Sequence, residues 1–126
     1  EGIARLRRSI RKKTPFGEVK PEDRKRAVKL TESGRHEYNV GLCDLAAELF
    51  EKAVKLDPRN QKALYSLGST YYKQRRVKAA LEKWRECIDV DPQNAIAGKA
   101  RRRMQHVAKT GAHLEEELRQ LEEDLS

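Results

Sequence analysis

Apolar residues recur along this chain at helical spacing, and between Gln61 and Pro92 they form two facing stripes. Leu64, Leu67, Gly68 and Tyr71 share one helical face, and Ala80, Leu81, Trp84, Cys87 and Ile88 share another. The polar stretch Lys73 to Val77 lies between them, so the pattern predicts two amphipathic helices joined by a turn and packed antiparallel. Gly68 and Ala80 are small where the stripes meet, which lets the two backbones approach. Asp91-Pro92 ends the pair, because proline lacks an amide donor and disfavours helix in the residue before it.

The same arrangement occurs earlier, displaced by 34 residues. Leu30, Gly34, Ala46, Phe50, Ala53 and Asp57-Pro58 correspond to Leu64, Gly68, Ala80, Trp84, Cys87 and Asp91-Pro92, and Leu56 corresponds to Val90. On these positions the chain resembles the tetratricopeptide repeat, whose period is about 34 residues. The resemblance implies an all-α solenoid of antiparallel helix-turn-helix units. It would comprise about two full repeats, residues 27–60 and 61–94, plus a degenerate third, capping helix pair. It also implies a scaffold for partners, although such repeats serve many different ones. One departure is Glu37, which stands where the second repeat has Tyr71; Tyr38 beside it can supply a ring.

The flanking pattern predicts further elements. Pro21 with Glu22 and Asp23 reads as a helix start, since proline suits the first turn and acids complement the positive end of the dipole. That helix should reach about Tyr38, with a turn over Asn39 to Gly41. A second should span Leu42 to Leu56 and face Leu42, Leu45, Ala46, Leu49, Phe50, Ala53 and Val54 inward. Asn94 can cap a helix over Ala95 to Lys109, Thr110-Gly111 should end it, and Ala112 to Leu125 should form a last helix. Leu114, Leu118 and Leu121 fall 34 residues after Ala80, Trp84 and Cys87, as in a degenerate capping repeat. With Leu125 they also follow a heptad pattern, which suits self-association through a short coiled coil. The chain thus divides into a basic N-terminal helix or linker (residues 1–20), a helical-repeat domain (21–109) and an acidic capping helix (110–126).

Charge sharpens this division. The net is +8, made of +7 over residues 1–29, near neutrality over 30–98, +5 over 99–109 and −5 over 110–126. In the first segment Ile3, Leu6 and Ile10 form a stripe amid a basic patch of Arg5, Arg7, Arg8, Arg11, Lys12 and Lys13, and Thr14-Pro15-Phe16-Gly17 breaks the chain after it. Three readings fit: a solvated linker, docking onto the repeats or another copy, or binding to anionic lipid or nucleic acid. Only 37% of residues are hydrophobic against 38% charged, which suits a thin helical stack rather than a thick core. Cys43 and Cys87 lie within helical patterns without metal-ligand spacing and read as small apolar residues, with a disulfide or reactive thiol as the alternative. No run is long enough to span a membrane, so a cytoplasmic location is expected. Because the sequence starts at Glu1 rather than methionine, a fragment is expected, from which a targeting segment could have been removed.

No catalytic constellation is visible, so the expectation is a binding protein rather than an enzyme. His36, His106 and His113 are scattered, and no glycine-rich phosphate loop or zinc signature occurs, so neither cofactor nor metal is expected. In a stack of such units the first helix of each pair lines the concave side. Helical spacing places Arg35, Tyr38 and Asn39 there from the first unit, Lys62, Tyr65, Ser69, Tyr72 and Lys73 from the second, and Lys99, Arg103 and His106 from the third. Tyrosines offer stiff contact area, and cations favour an acidic peptide, a carboxylate or a phosphate. Some members of the family clamp the Glu-Glu-Val-Asp tail of heat-shock chaperones with Lys, Asn and Arg. The matching positions here hold Thr31, Arg35, Ser69, Ile96 and Ala100, so that clamp is missing. The expected function is therefore a scaffold or adaptor for a protein or peptide ligand, acidic in character. The alternatives are nucleic-acid or anionic-membrane association through the N-terminal patch and Lys99 to Arg103, and homo-oligomeric assembly through the terminal helices.

Overall fold

The computed structural model describes residues 18–125. Five helices follow one another, with no strand among the described residues: α1 (Pro21–Asn39), α2 (Cys43–Leu56), α3 (Gln61–Lys73), α4 (Val77–Val90) and α5 (Ala95–Leu125). α1 pairs with α2 and α3 with α4, and the pairs stack through α2 on α3 and α4 on α5. α1 also touches α3, and α3 touches α5, whereas α2 and α4 do not meet. The first helices are thus crowded together, so α1, α3 and α5 line the inside of a curved stack. The expected all-α helix-turn-helix solenoid is what the chain forms.

The 34-residue echo is a packing contact used twice. A Cβ placed on Gly34 would lie 2.6 Å from Phe50 Cε1, and one on Gly68 would lie 2.6 Å from Trp84 Cδ1. Each ring therefore occupies the space that the missing side chain leaves. Ala46, Ala53, Ala80 and Cys87 are fully buried beside these rings. The Trp84 indole N–H, which needs a partner once buried, donates to the Tyr65 carbonyl at 3.2 Å. Between the pairs, Leu64 and Leu67 join a cluster with Ala46, Ala47 and Phe50. The Tyr71 hydroxyl donates to Glu51 Oε2 on α2 at 2.6 Å, and the Arg76 guanidinium sits 4.1 Å from its ring centre.

This interface accounts for the departure at Glu37. Tyr71 is buried because it reaches α2 of the unit ahead. No unit precedes α1 among the described residues, so a half-buried polar side chain is tolerated at the equivalent place. Leu30 is likewise only half-buried, whereas Leu64 is fully buried.

The connections repeat too. The Asp57 carboxylate accepts from the Arg59 N–H at 3.1 Å, and the Asp91 carboxylate accepts from the Gln93 N–H at 3.1 Å. Asn60 then caps α3 by accepting from the Ala63 N–H, and Asn94 caps α5 by accepting from the Ile96 N–H. Asp-Pro-x-Asn is therefore one turn written twice. The turns inside the pairs correspond as well: Gly41 has φ 91° and Arg75, 34 positions on, has φ 65°. Arginine pays a steric penalty there that glycine avoids.

Three expectations are corrected. Leu42 and Leu45 are exposed rather than inward. Leu42 precedes α2, and Leu45 turns about 100° away from Ala46 on the packed face. Thr110-Gly111 does not end a helix, and α5 runs unbroken to Leu125. Gly111 does not adopt positive φ, and the Thr110 hydroxyl donates to the His106 carbonyl one turn back at 2.9 Å. A single glycine costs a helix only about 1 kcal/mol, and the residues beyond it are strong helix formers. The third unit is consequently one long helix instead of a pair, and residues 110–126 do not fold back as a cap. The N-terminal stripe and the patch from Arg5 to Lys13 lie outside the described residues.

Candidate functional site

The inside of the curve is organised around Tyr65 on α3. Three adjoining recesses of about 190, 150 and 500 Å³ all include it in their walls. The first lies toward α1, between Arg35, Tyr38, Asn39, Ser69 and Arg103. The second is bounded by Arg35, Lys62, Ile96 and Lys99, and the third by Lys99, Arg102, Arg103 and His106. Nine of the eleven residues expected in the groove thus border one connected, cation-rich surface. They come from three helices because α1, α3 and α5 are the elements in mutual contact.

Several of these side chains are held in place. Arg103 Nε on α5 donates to the Tyr65 hydroxyl at 3.2 Å, which ties the third unit to the second. That hydrogen bond and the charge interaction with Tyr65 raise the Arg103 pKa, burial opposes them, and Tyr38 and Tyr72 add lesser upward effects. As an arginine it is positively charged in any case, and the hydrogen bond fixes where that charge sits. The Lys73 ammonium stands 4.2 Å from the centre of the Tyr38 ring, a cation–π contact between the first two units. The Ser69 hydroxyl donates to the Tyr65 carbonyl at 3.2 Å.

The remaining residues sort differently. Tyr72 is half-buried and packs its ring 5.9 Å from that of Trp84, so it serves the core as much as the groove. Lys73 is engaged with Tyr38 rather than lining a recess. The cluster Lys99 to Arg103 is divided by the helix: Lys99, Arg102 and Arg103 border the recesses, while Arg101 donates to the Pro92 carbonyl at 3.0 Å. Ser66 borders two recesses and was not anticipated; its place between Lys62 and Ser69, at spacings of four and three, is the signal that would have marked it.

Two kinds of chemistry find no support here. Of the positions matching the chaperone-tail clamp, Ala100 is fully buried and Thr31 is buried with its hydroxyl donating to the Ala27 carbonyl at 2.7 Å. Neither can meet a carboxylate. Among the described residues no group of three His, Cys, Asp or Glu is arranged to hold a metal ion. What the groove offers is positive charge, hydroxyl donors and tyrosine rings on a rigid helical floor. No described helix is long and apolar enough to cross a membrane.

Comparison with known proteins agrees with this architecture. A family model described as tetratricopeptide repeat matches residues 31–95. The chain is also 41% identical over 54 residues to sperm-associated antigen 1 of Mus musculus, a stretch that covers 43% of this chain and 6% of that protein. With two helix pairs closed by the same glycine–ring contact, and a family match over just over half of its 126 residues, the chain belongs to the tetratricopeptide repeat family.

Proposed function

We propose that the chain is an adaptor that holds an acidic segment of a partner protein along the Tyr65 groove. The tetratricopeptide repeat is a protein-interaction fold, and the groove gives that general role a chemical preference. The observation that carries the reading is the Arg103–Tyr65 hydrogen bond at the meeting point of three recesses. It presents a pre-oriented guanidinium beside Arg35, Lys62 and Lys99, all exposed. A carboxylate binding there would gain charge-assisted hydrogen bonds without ordering a free side chain first.

Fluorescence anisotropy with a fluorescein-labelled Glu-rich peptide tests this. The parent protein should bind it, and Lys99→Glu with Arg103→Glu should weaken binding by about tenfold or more. Both sites are exposed, so helix content by circular dichroism should not change. Salt separates this reading from association with nucleic acid. A labelled DNA duplex that bound more tightly than the peptide, with affinity collapsing as salt rises, would overturn the proposal.

A further inference from the structure

α5 carries an apolar stripe that is longer than the body it packs against. Ala97 and Ala100 are fully buried, Met104 and Val107 are half-buried, and the three-and-four spacing continues through Leu114, Leu118, Leu121 and Leu125. Those four leucines are 52–87% exposed. From Gly111 to Leu125 the helix projects about 21 Å at 1.5 Å per residue. Residues 110–126 are also strongly acidic, with a net charge of −5.

The opposite end of the stack has the complementary character. Between α1 and α2 lies an open recess of about 660 Å³, with Leu30 and Leu56 among its walls and Arg26, Lys29, Lys52 and Lys55 around them. The repeat offset identifies this recess. Lys29, Leu30 and Ser33 correspond to Ala63, Leu64 and Leu67, which in the second unit are buried against the first. Its α1 wall is the stacking face of a unit that has no predecessor among the described residues.

We propose that the acidic leucine stripe of one copy docks into this basic, apolar recess of a second copy, giving head-to-tail association. Charge complementarity selects this occupant. The other apolar stripe of the chain, Ile3, Leu6 and Ile10, lies among Arg5 to Lys13 and would bring like charge to a basic rim. The pairing cannot close within one molecule, since α5 contacts α3 and α4 but neither α1 nor α2. A contact between two different faces generates open chains or rings rather than a simple twofold dimer.

Sedimentation velocity on the full chain over a range of concentrations tests the pairing. The parent should associate, more weakly as salt rises. Leu118→Glu with Leu121→Glu in the tail, or Lys52→Glu with Lys55→Glu at the recess, should each raise the apparent dissociation constant about tenfold or more. All four sites are exposed or on the rim, so helix content should be retained. Mixing the two variants should restore association and stop it at a one-to-one complex, because each keeps one intact face. A recess variant that associates like the parent would mean that the leucines pair with each other as a coiled coil. Association seen only after removal of residues 1–17 would mean that this segment occupies the recess. Either result, or a parent that stays monomeric, overturns the proposal.

Discussion

At the residue scale, the fold depends on what is absent as much as on what is present. Gly34 and Gly68 leave room for a ring from the neighbouring helix, with 2.6 Å between that ring and a notional Cβ. Gly68→Leu and Ala80→Leu should each destabilise the protein by about 1–3 kcal/mol through overpacking, read as a lower urea midpoint. Unchanged midpoints would contradict the contact. Buried ionisable groups add an alkaline limit. Burial pushes the Cys87 thiol up to about 11, and burial together with the Glu51 hydrogen bond pushes Tyr71 up to about 12, against an opposing effect of Arg76. In the unfolded chain these groups titrate near 9.0 and 10.0. The unfolded state therefore releases protons first, and stability that is intact below pH 9 should fall as pH rises through 9 to 12. Urea titrations at stepped pH would show this slope, and Tyr71→Phe should flatten its upper part. At neutral pH a thiol reagent should modify half-buried Cys43 and reach Cys87 only after unfolding.

At the element scale, the two helix pairs were legible in the sequence because their positions are over-determined. Small residue, ring, small residue and Asp-Pro recur together, and each is forced by a contact with its own partner helix. The groove was partly legible for the same reason: residues on α3 at spacings of three and four share a face whatever their chemistry. Tyr72 was harder to place, because helical spacing does not say that Trp84 lies within ring contact. The stop at Thr110-Gly111 was misread because glycine ends a helix only when the chain has somewhere else to go. Here strong helix formers follow Gly111, and the Thr110 hydroxyl bonds back to the His106 carbonyl within the same helix. Gly111 lies in open space with ordinary helical backbone. Gly111→Ala should therefore strengthen α5 by about 1 kcal/mol and raise helicity by circular dichroism. A reversing turn at this position would instead lose helicity on the same substitution.

At the scale of the whole molecule, the stack has two unlike ends and one concave face, and each is specified by what its neighbours do not cover. The join between units is itself particular. Tyr71 meets Glu51 on the unit ahead, and the residue 34 positions after Glu51 is Arg85. A tandem copy of residues 61–94 grafted after Asn94 would bring its own tyrosine hydroxyl to that arginine, where the hydroxyl would have to accept from a guanidinium instead of donating to a carboxylate. Concatenating units of the second kind would therefore reverse the hydrogen bond at each new junction, and restoring the Tyr71–Glu51 polarity would require an acceptor in place of Arg85.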